Sequence, residues 1–456
     1  MQITSTLDAD IQRFSAETLN YQINTLKNQN VNDGAVLIVE NRTGNILAYV
    51  GGTEASPHYV DGVQARRQAG STLKPFLYAS AFEKRLITPA SVLSDSPVDI
   101  PTEYGIYKPG NYDNDFKGLV SVRTALASSL NIPAVRTLKL VGENNFVRRL
   151  EALGFNLNQT DGYYGPSLAL GTADVSLYEL VNAFRALANK GVWSEMRLTP
   201  DISINSRKRI YSEESVFLIS DILSDRAARS VTFSLENPLS TRFWSVVKTG
   251  TSKDMRDNWC VGFSQDYTVG AWVGNFTGEP MWDVSGVSGA APVWLEIMNY
   301  LHKDSSVRQK KVPGGVRKTH VSFANMIEPD RDEWFIVGTE PSGVSEEKTV
   351  LLASARNTDR PHILYPPDGA VFAIDPDIPE DQQRIFFESE GSINNMSWML
   401  DSELLGSNTS SVSWKPGAGR HTLSIMNSNN NMIESVSFLV KGAGEDLSSG
   451  NLEGRQ

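Results

Sequence analysis

The strand-like runs of the first 305 residues stand at the two ends of that stretch, with helical periodicity between them. Few folds accommodate that order. Ala35-Val36-Leu37-Ile38-Val39 and Asn45-Ile46-Leu47-Ala48-Tyr49-Val50 flank Arg42-Thr43-Gly44, which predicts a β-hairpin. Three more runs, 243–247, 259–263 and 268–273, follow only near the far end, separated by short turns. A first helix is expected after Asp8 as N-cap, with Ile11, Phe14, Leu19, Ile23 and Leu26 as its apolar stripe. Helical spacing returns from Thr72 to about Arg85, with Pro75 tolerable in the first turn. It continues through most of 118–190, including 176–189, which ends at Lys190-Gly191, and closes with 292–301. Strands segregated from helices predict an α+β domain whose sheet pairs antiparallel.

After residue 305 the pattern changes. Charged clusters and Pro313-Gly314-Gly315 mark 306–360 as a connector, loosely folded. Short alternating segments at 384–388, 397–400, 412–414, 421–425 and 435–440 predict a small β-sandwich over 361–441. Pro366-Pro367-Asp368-Gly369 and Pro416-Gly417 punctuate it, and 427–431 forms a polar tip. Residues 442–456 read as a disordered tail. With 42 Lys+Arg against 53 Asp+Glu, the formal charge of −11 argues against nucleic acid. A single cysteine, Cys260, excludes an internal disulfide, and five histidines away from ligand spacing give no metal site. No cofactor is expected. The first residues lack a signal peptide and no apolar run reaches membrane-spanning length, so the chain is either cytoplasmic or a piece of something larger.

Three short motifs carry the chemistry. Ser71-Thr72-Leu73-Lys74 opens a helix, Ser129-Leu130-Asn131 lies in a helical region, and Lys248-Thr249-Gly250, continued by Thr251, ends an apolar strand. Each alone is weak. Roughly two chance S-x-x-K matches are expected in a chain of this length, and Ser345 to Lys348 is one. S-x-N recurs at Ser203-Ile204-Asn205 and Ser392-Ile393-Asn394, whereas K-T-G occurs once. The joint arrangement is informative because a serine hydroxyl needs a base within reach. Positions i and i+3 at a helix start share a face, which brings the Lys74 amine toward Ser71. Burial and a second cation such as Lys248 would lower the amine's pKa enough for it to act as that base.

The ordered set belongs to penicillin-binding proteins and class A β-lactamases. Its flanks narrow the resemblance: Gln64 to Gly70 before Ser71, Pro75-Phe76-Leu77-Tyr78-Ala79 after Lys74, Asn111 to Gly118, Arg123 to Val135, and Asp257-Asn258-Trp259. Together they resemble the transpeptidase domain of class A (bifunctional) penicillin-binding proteins over about three hundred residues. The Gly70–Tyr78 run and the β-rich tail with Tyr365-Pro366-Pro367-Asp368-Gly369 look like the penicillin-binding protein 1C branch, which carries a small C-terminal domain.

The resemblance implies that Ser71 is the acylated nucleophile and Lys74 its general base. It implies that Ser129 and Asn131 relay protons and hold the peptide, and that Lys248 supplies positive charge. Thr249, Gly250 and Thr251 would line the substrate, the two hydroxyls binding its terminal carboxylate. Backbone N–H groups of Ser71 and Thr251 would form the oxyanion hole. The substrate would be a stem peptide ending in D-Ala-D-Ala, with β-lactams as irreversible acylating agents. The reaction would be D,D-transpeptidation, the rivals being D,D-carboxypeptidase, slow β-lactamase or a non-turnover sensor that docks a partner through the small domain. Ile3 to Asp8 resembles the junction after a glycosyltransferase domain, implying a longer, membrane-anchored, periplasmic protein. Leu130 stands where β-lactamases usually place Asp, and Glu179-Leu180-Val181-Asn182 is one residue short of E-x-x-L-N, so fast hydrolysis is disfavoured. Cys260 reads as a packing residue, and Trp398 and Trp414, which could form a carbohydrate platform, alternate with polar neighbours and read better as sandwich core. Arg66-Arg67 fit either a steering role for an anionic peptide or an ordinary surface pair.

Overall fold

The computed structural model describes residues 4–98, 100–102, 105–111, 115–157, 159, 162–200, 207–229, 237–303, 311–323, 327–341, 362–366, 370–373, 384–390, 396–409, 411–428 and 431–441. It divides into two compact units, Met1–Ala353 and Ser354–Gln456.

In the first unit, helix α1 (Ala9–Thr25) is capped by Asp8, whose carboxylate accepts from the Asp10 and Ile11 amides. The chain then forms β1 (Asp33–Glu40) and β2 (Ile46–Val50), an antiparallel hairpin. Helix α2 (Lys74–Glu83) follows a 3-10 turn, Gly70–Leu73. Next come β3 (Val92–Asp95), paired with β4 (Gly118–Ser121), and then α3 (Val122–Ala127), α4 (Asn131–Val141) and α5 (Glu143–Ala152). Helices α6 (Leu177–Ala188), α7 (Glu213–Ser224) and α8 (Arg226–Arg229) precede β5 (Val246–Thr251), β6 (Asp257–Phe263), β7 (Tyr267–Gly274) and α9 (Ala290–Leu301).

The five-stranded sheet runs β5-β6-β7-β1-β2, every pairing antiparallel, so strands from both ends of the sequence meet at β7 and β1. Strand residues alternate between two cores, as a period of two requires. Leu37, Val246, Trp259 and Val261 belong to the core that also holds Phe76 of α2 and Phe184 of α6. Val36, Val247, Cys260 and Val273 belong to the other, with Leu19 of α1 and Trp294 of α9. Cys260 is fully buried there, consistent with packing.

Two sequence expectations are corrected. Strand β5 begins later than position 243 and runs through Lys248-Thr249-Gly250 instead of stopping before it, because Lys248, Thr249 and Gly250 pair with Val261, Cys260 and Trp259. The stretch read as a loose connector contains a hairpin of the first unit, β8 (Val316–Val321) with β9 (Arg331–Ile336). Val316 lies in the α2-side core and Trp334 packs against it. The charge of Glu333 hid the strand: this carboxylate is fully buried, held bidentately by Arg123 at 2.5 and 2.7 Å.

The second unit contains a three-stranded sheet, His362–Tyr365, Ile385–Glu390 and Ser411–Trp414, and a five-stranded one. The larger sheet holds Ala370–Ala373, Met396–Leu400, Glu403–Ser407, Gly419–Asn427 and Met432–Lys441. One core joins them, with Ile363 and Phe387 from the first and Trp398, Leu423 and Phe438 from the second. Trp398 is fully buried, and Trp414 stacks on Phe387, so both belong to packing and not to an open platform. The expected tail, 442–456, lies outside the described residues.

Candidate active site

Helix α2 is buried from Lys74 to Phe82, an apolar rod whose only charge in that span is the lysine at its first position. A helix apolar all round belongs in a core, and this one carries Lys74 there with it: its exposure is 0 %. Ser71 sits one turn earlier, in the 3-10 turn, pressed between other segments. Gly70 has φ +54°, and a Cβ there would lie 2.6 Å from the Thr251 carbonyl. A Cβ on Gly250 would lie 2.7 Å from the Ala69 carbonyl. Both positions need glycine for the turn and β5 to approach this closely.

Strand β5 is an edge of the sheet. Alternation puts Lys248 on the face toward α2, at 3 % exposure. The Ser129-Leu130-Asn131 motif spans the turn between α3 and α4 and the first residue of α4, and Ser129 adopts φ +61°. Lys248 Nζ donates to Ser129 Oγ at 2.7 Å and to the Thr249 carbonyl at 2.8 Å. Lys74 Nζ donates to the carbonyls of Ser129 (2.6 Å) and Leu130 (3.1 Å) and to Asn131 Oδ1 (2.7 Å). Both buried cations therefore converge on Ser129.

Among the described residues, no carboxylate forms an ion pair with either lysine. Burial, and next the Lys248 cation, hold the Lys74 amine well below its ordinary range, with Asp95 acting the other way. Burial and then the Arg229 guanidinium push Lys248 down to about 7. Burial likewise pushes Arg229 down to about 10; its guanidinium donates to the carbonyls of Leu239 and Leu223.

These groups back onto an open cavity of about 550 Å³. Ser71, Ser129, Asn131, Thr249, Gly250 and Thr251 all line it, with Lys74 and Lys248 behind the wall. No Asp or Glu is among its described lining residues, and Lys253 adds a cation at the rim. Thr251 Oγ1 accepts from the Gly286 amide at 3.0 Å, which leaves its own O–H free to donate. The expected pairing of Ser71 with Lys74 is not formed. Among the described residues, the three acceptors above take the lysine's donors instead, as three N–H groups of an ammonium would require.

Sequence reasoning missed the groups behind the motifs. Asn131 N donates to Asn111 Oδ1 at 2.9 Å, and Asn111 Nδ2 donates to both Asp95 oxygens at 2.9 Å. Neither Asp95 nor Arg229 bears any local signal. Glu179 holds Arg66 at 3.0 Å and completes a capping box with Ser176, so it is a structural carboxylate of α6. Arg66 also donates to the Asn156 and Asp174 carbonyls, and Arg67 to the Asn275 and Phe276 carbonyls over the Trp272 ring. Arg67 is engaged in packing and the exposed Arg66 is already paired with Glu179, which disfavours the steering role.

Residues 34–299 match the model of the penicillin binding protein transpeptidase domain, and 351–438 that of the penicillin-binding protein C-terminus family. The first match covers more than half of the chain, which therefore belongs to the penicillin-binding protein transpeptidase family. Among curated relatives, penicillin-binding protein 1C of Escherichia coli (strain K12) is 33% identical over 66% of this chain and 38% of its own length. Penicillin-binding protein 1A of Rickettsia felis is 29% identical over 64% of this chain and 41% of its own. The chain thus spans about two fifths of these relatives' length. A crystal structure of penicillin-binding protein 1A from Haemophilus influenzae matches with a TM-score of 0.61 at 24% identity, over 68% of this chain and 54% of that one. The PonA1 protein of Mycobacterium tuberculosis in complex with penicillin V gives 0.58 at 21%, over 68% and 88%. At these identities the two structures bear on the fold, and both support the α+β assignment.

Proposed function

We propose that this chain is a peptidoglycan D,D-transpeptidase acting through an ester on Ser71. The observation that carries the reading is the convergence of two buried lysines without carboxylate partners on Ser129, behind a cavity that Ser71 lines. A buried ammonium without a carboxylate sheds its proton readily. Once neutral, Lys74 keeps two N–H donors and gains a lone pair, so one of its three acceptors is released and the lone pair turns to Ser71 Oγ. Ser71 then attacks the penultimate carbonyl of a stem peptide ending in D-Ala-D-Ala, and its proton passes to Lys74.

The tetrahedral oxyanion is met by the Ser71 and Thr251 N–H groups. The peptide C–N bond breaks, the departing D-Ala amine takes a proton through Ser129, and an acyl-enzyme remains. An amine from a neighbouring strand attacks the ester, and Ser71 Oγ recovers a proton as the cross-link forms. Thr249 and Thr251 hydroxyls hold the terminal carboxylate and Lys248 supplies positive charge from behind the wall, while Asn131 holds the peptide from the helical side. A β-lactam ring opens onto Ser71 in the same way, but its leaving nitrogen stays tethered.

Among the described residues, the cavity lining holds no Asp or Glu to activate water alongside Lys74, which favours an amine acceptor over fast hydrolysis. The reaction would take place on the extracytoplasmic face of the membrane, where peptidoglycan lies, with the second unit docking a protein partner. Among the described residues, no helix is long and apolar enough to cross a membrane. Incubation with a pentapeptide stem and an amine acceptor tests the chemistry. Mass spectrometry should show release of one D-Ala per peptide and an amide to the acceptor. Release without the amide would identify a carboxypeptidase, and no release would overturn the reading.

A further inference from the structure

We propose that Asp95 is a positioning residue of this site: through Asn111 it fixes Asn131, and through Asn131 it fixes the Lys74 amine. The inference rests on Ser71 as the acylated group and adds a residue from β3, outside the three motifs.

Asp95 is fully buried. Its oxygens accept from Asn111 Nδ2 at 2.9 Å and from the Lys117 amide at 2.9 Å. Every partner it has there is a donor. The Asn111 amide is thereby oriented, its NH₂ committed to Asp95 and to the Asp115 carbonyl at 2.9 Å. That leaves Oδ1 aimed at the Asn131 N–H, 2.9 Å away, at the first residue of α4. Asn131 Nδ2 is taken by the Gly110 carbonyl at 2.8 Å, which turns its Oδ1 to Lys74 at 2.7 Å. The orientation of Asn111 is set by two groups that only accept, the Asp115 carbonyl and the Asp95 carboxylate, and of the two only Asp95 is a side chain. An amide at position 95 would present a donor to Asn111, whose flip would set two N–H groups against each other at Asn131.

The charge at Asp95 acts as well. The charged groups bearing on Lys74 are Lys248 from β5, which favours the free amine, and Asp95, which favours the ammonium. Tyr78, one turn along α2, also feels Asp95, and burial raises its phenol so that it stays neutral.

The test is the rate of acylation by a fluorescent penicillin as a function of pH. Asp95→Asn should lower the maximal rate at least tenfold. It should also move the acid limb to lower pH, because the ammonium loses the carboxylate that stabilises it. The exchanged pair Asp95→Asn/Asn111→Asp reverses the 95–111 bond, keeps an acceptor for the Asn131 N–H and keeps one negative charge, at the loss of the bond to the Asp115 carbonyl, and should recover part of the rate. If Asp95→Asn does not fold, Asn111→Ala cuts the link while keeping the charge: the rate should fall at least tenfold with the acid limb in place. A wild-type rate and limb in Asp95→Asn, a wild-type rate in Asn111→Ala, or no recovery in a folded exchanged pair would overturn the proposal. Absence of acylation in the unaltered protein would instead refute the assignment of Ser71.

Discussion

Two ammonium groups held out of water, each costing several kcal/mol to bury, are tolerable only because carbonyl, amide and hydroxyl oxygens surround them. Burial first and then repulsion from Lys248 lower the pKa of the Lys74 amine, so removing Lys248 has a defined consequence. In Lys248→Met the neighbouring cation is gone, the Lys74 pKa rises, and less free amine is present at neutral pH. The acid limb of acylation should therefore move to higher pH, as read from rates between pH 5 and 10; an unmoved limb would mean Lys74 is not the base. Stability should move the opposite way. The folded lysine titrates at about 7 against an ordinary 10.5, so burying its charge costs most below pH 7. The melting temperature of Lys248→Met should exceed that of the unaltered protein below pH 7, the advantage fading toward pH 10.5.

At the scale of elements, the site is a contact between a turn and an edge strand, fastened by a helix loop. Gly70→Ala places a Cβ against Thr251 and strains a left-handed backbone. It should cost about 1–3 kcal/mol of stability and slow acylation, as denaturant midpoints and labelling rates would show. The loop's other anchor is Arg123 at the start of α3. Burial opposes its charge, but Glu333 and Asp221 more than offset this and hold the guanidinium above its usual range. Glu333→Gln removes one of the carboxylates around a guanidinium that is still buried and should cost about 3 kcal/mol, measured by chemical denaturation. The motif residues and most elements were legible because they depend on local spacing: Asp8 as a cap, the hairpin at β1 and β2, and five of the eight described strands of the small unit, His362–Tyr365, Ala370–Ala373 and Glu403–Ser407 being missed. Asp95, Arg229 and Glu333 were not, since their meaning lies in partners distant in sequence, and a buried charge reads as surface until its partner is known.

The first unit of the chain, Met1–Ala353, extends past the end of its family match at residue 299. The β8–β9 hairpin supplies Glu333 to α3, so a chain cut at 305 should lose stability and acylation together. A chain cut at 353, where the first unit ends, should keep the acylation rate of the unaltered protein. Equal behaviour of the two would show that the hairpin is dispensable. Loss of acylation in the longer one would give the second unit a part in the chemistry.

The central claim is that one alcohol, freed of its proton by a buried amine, takes the acyl group. Intact-mass analysis after penicillin treatment, followed by peptide mapping, tests this most directly. The account predicts one adduct per chain, on the peptide containing Ser71, absent from both Ser71→Ala and Lys74→Ala. A stoichiometric adduct that persists in Ser71→Ala, or maps to another residue, would contradict it.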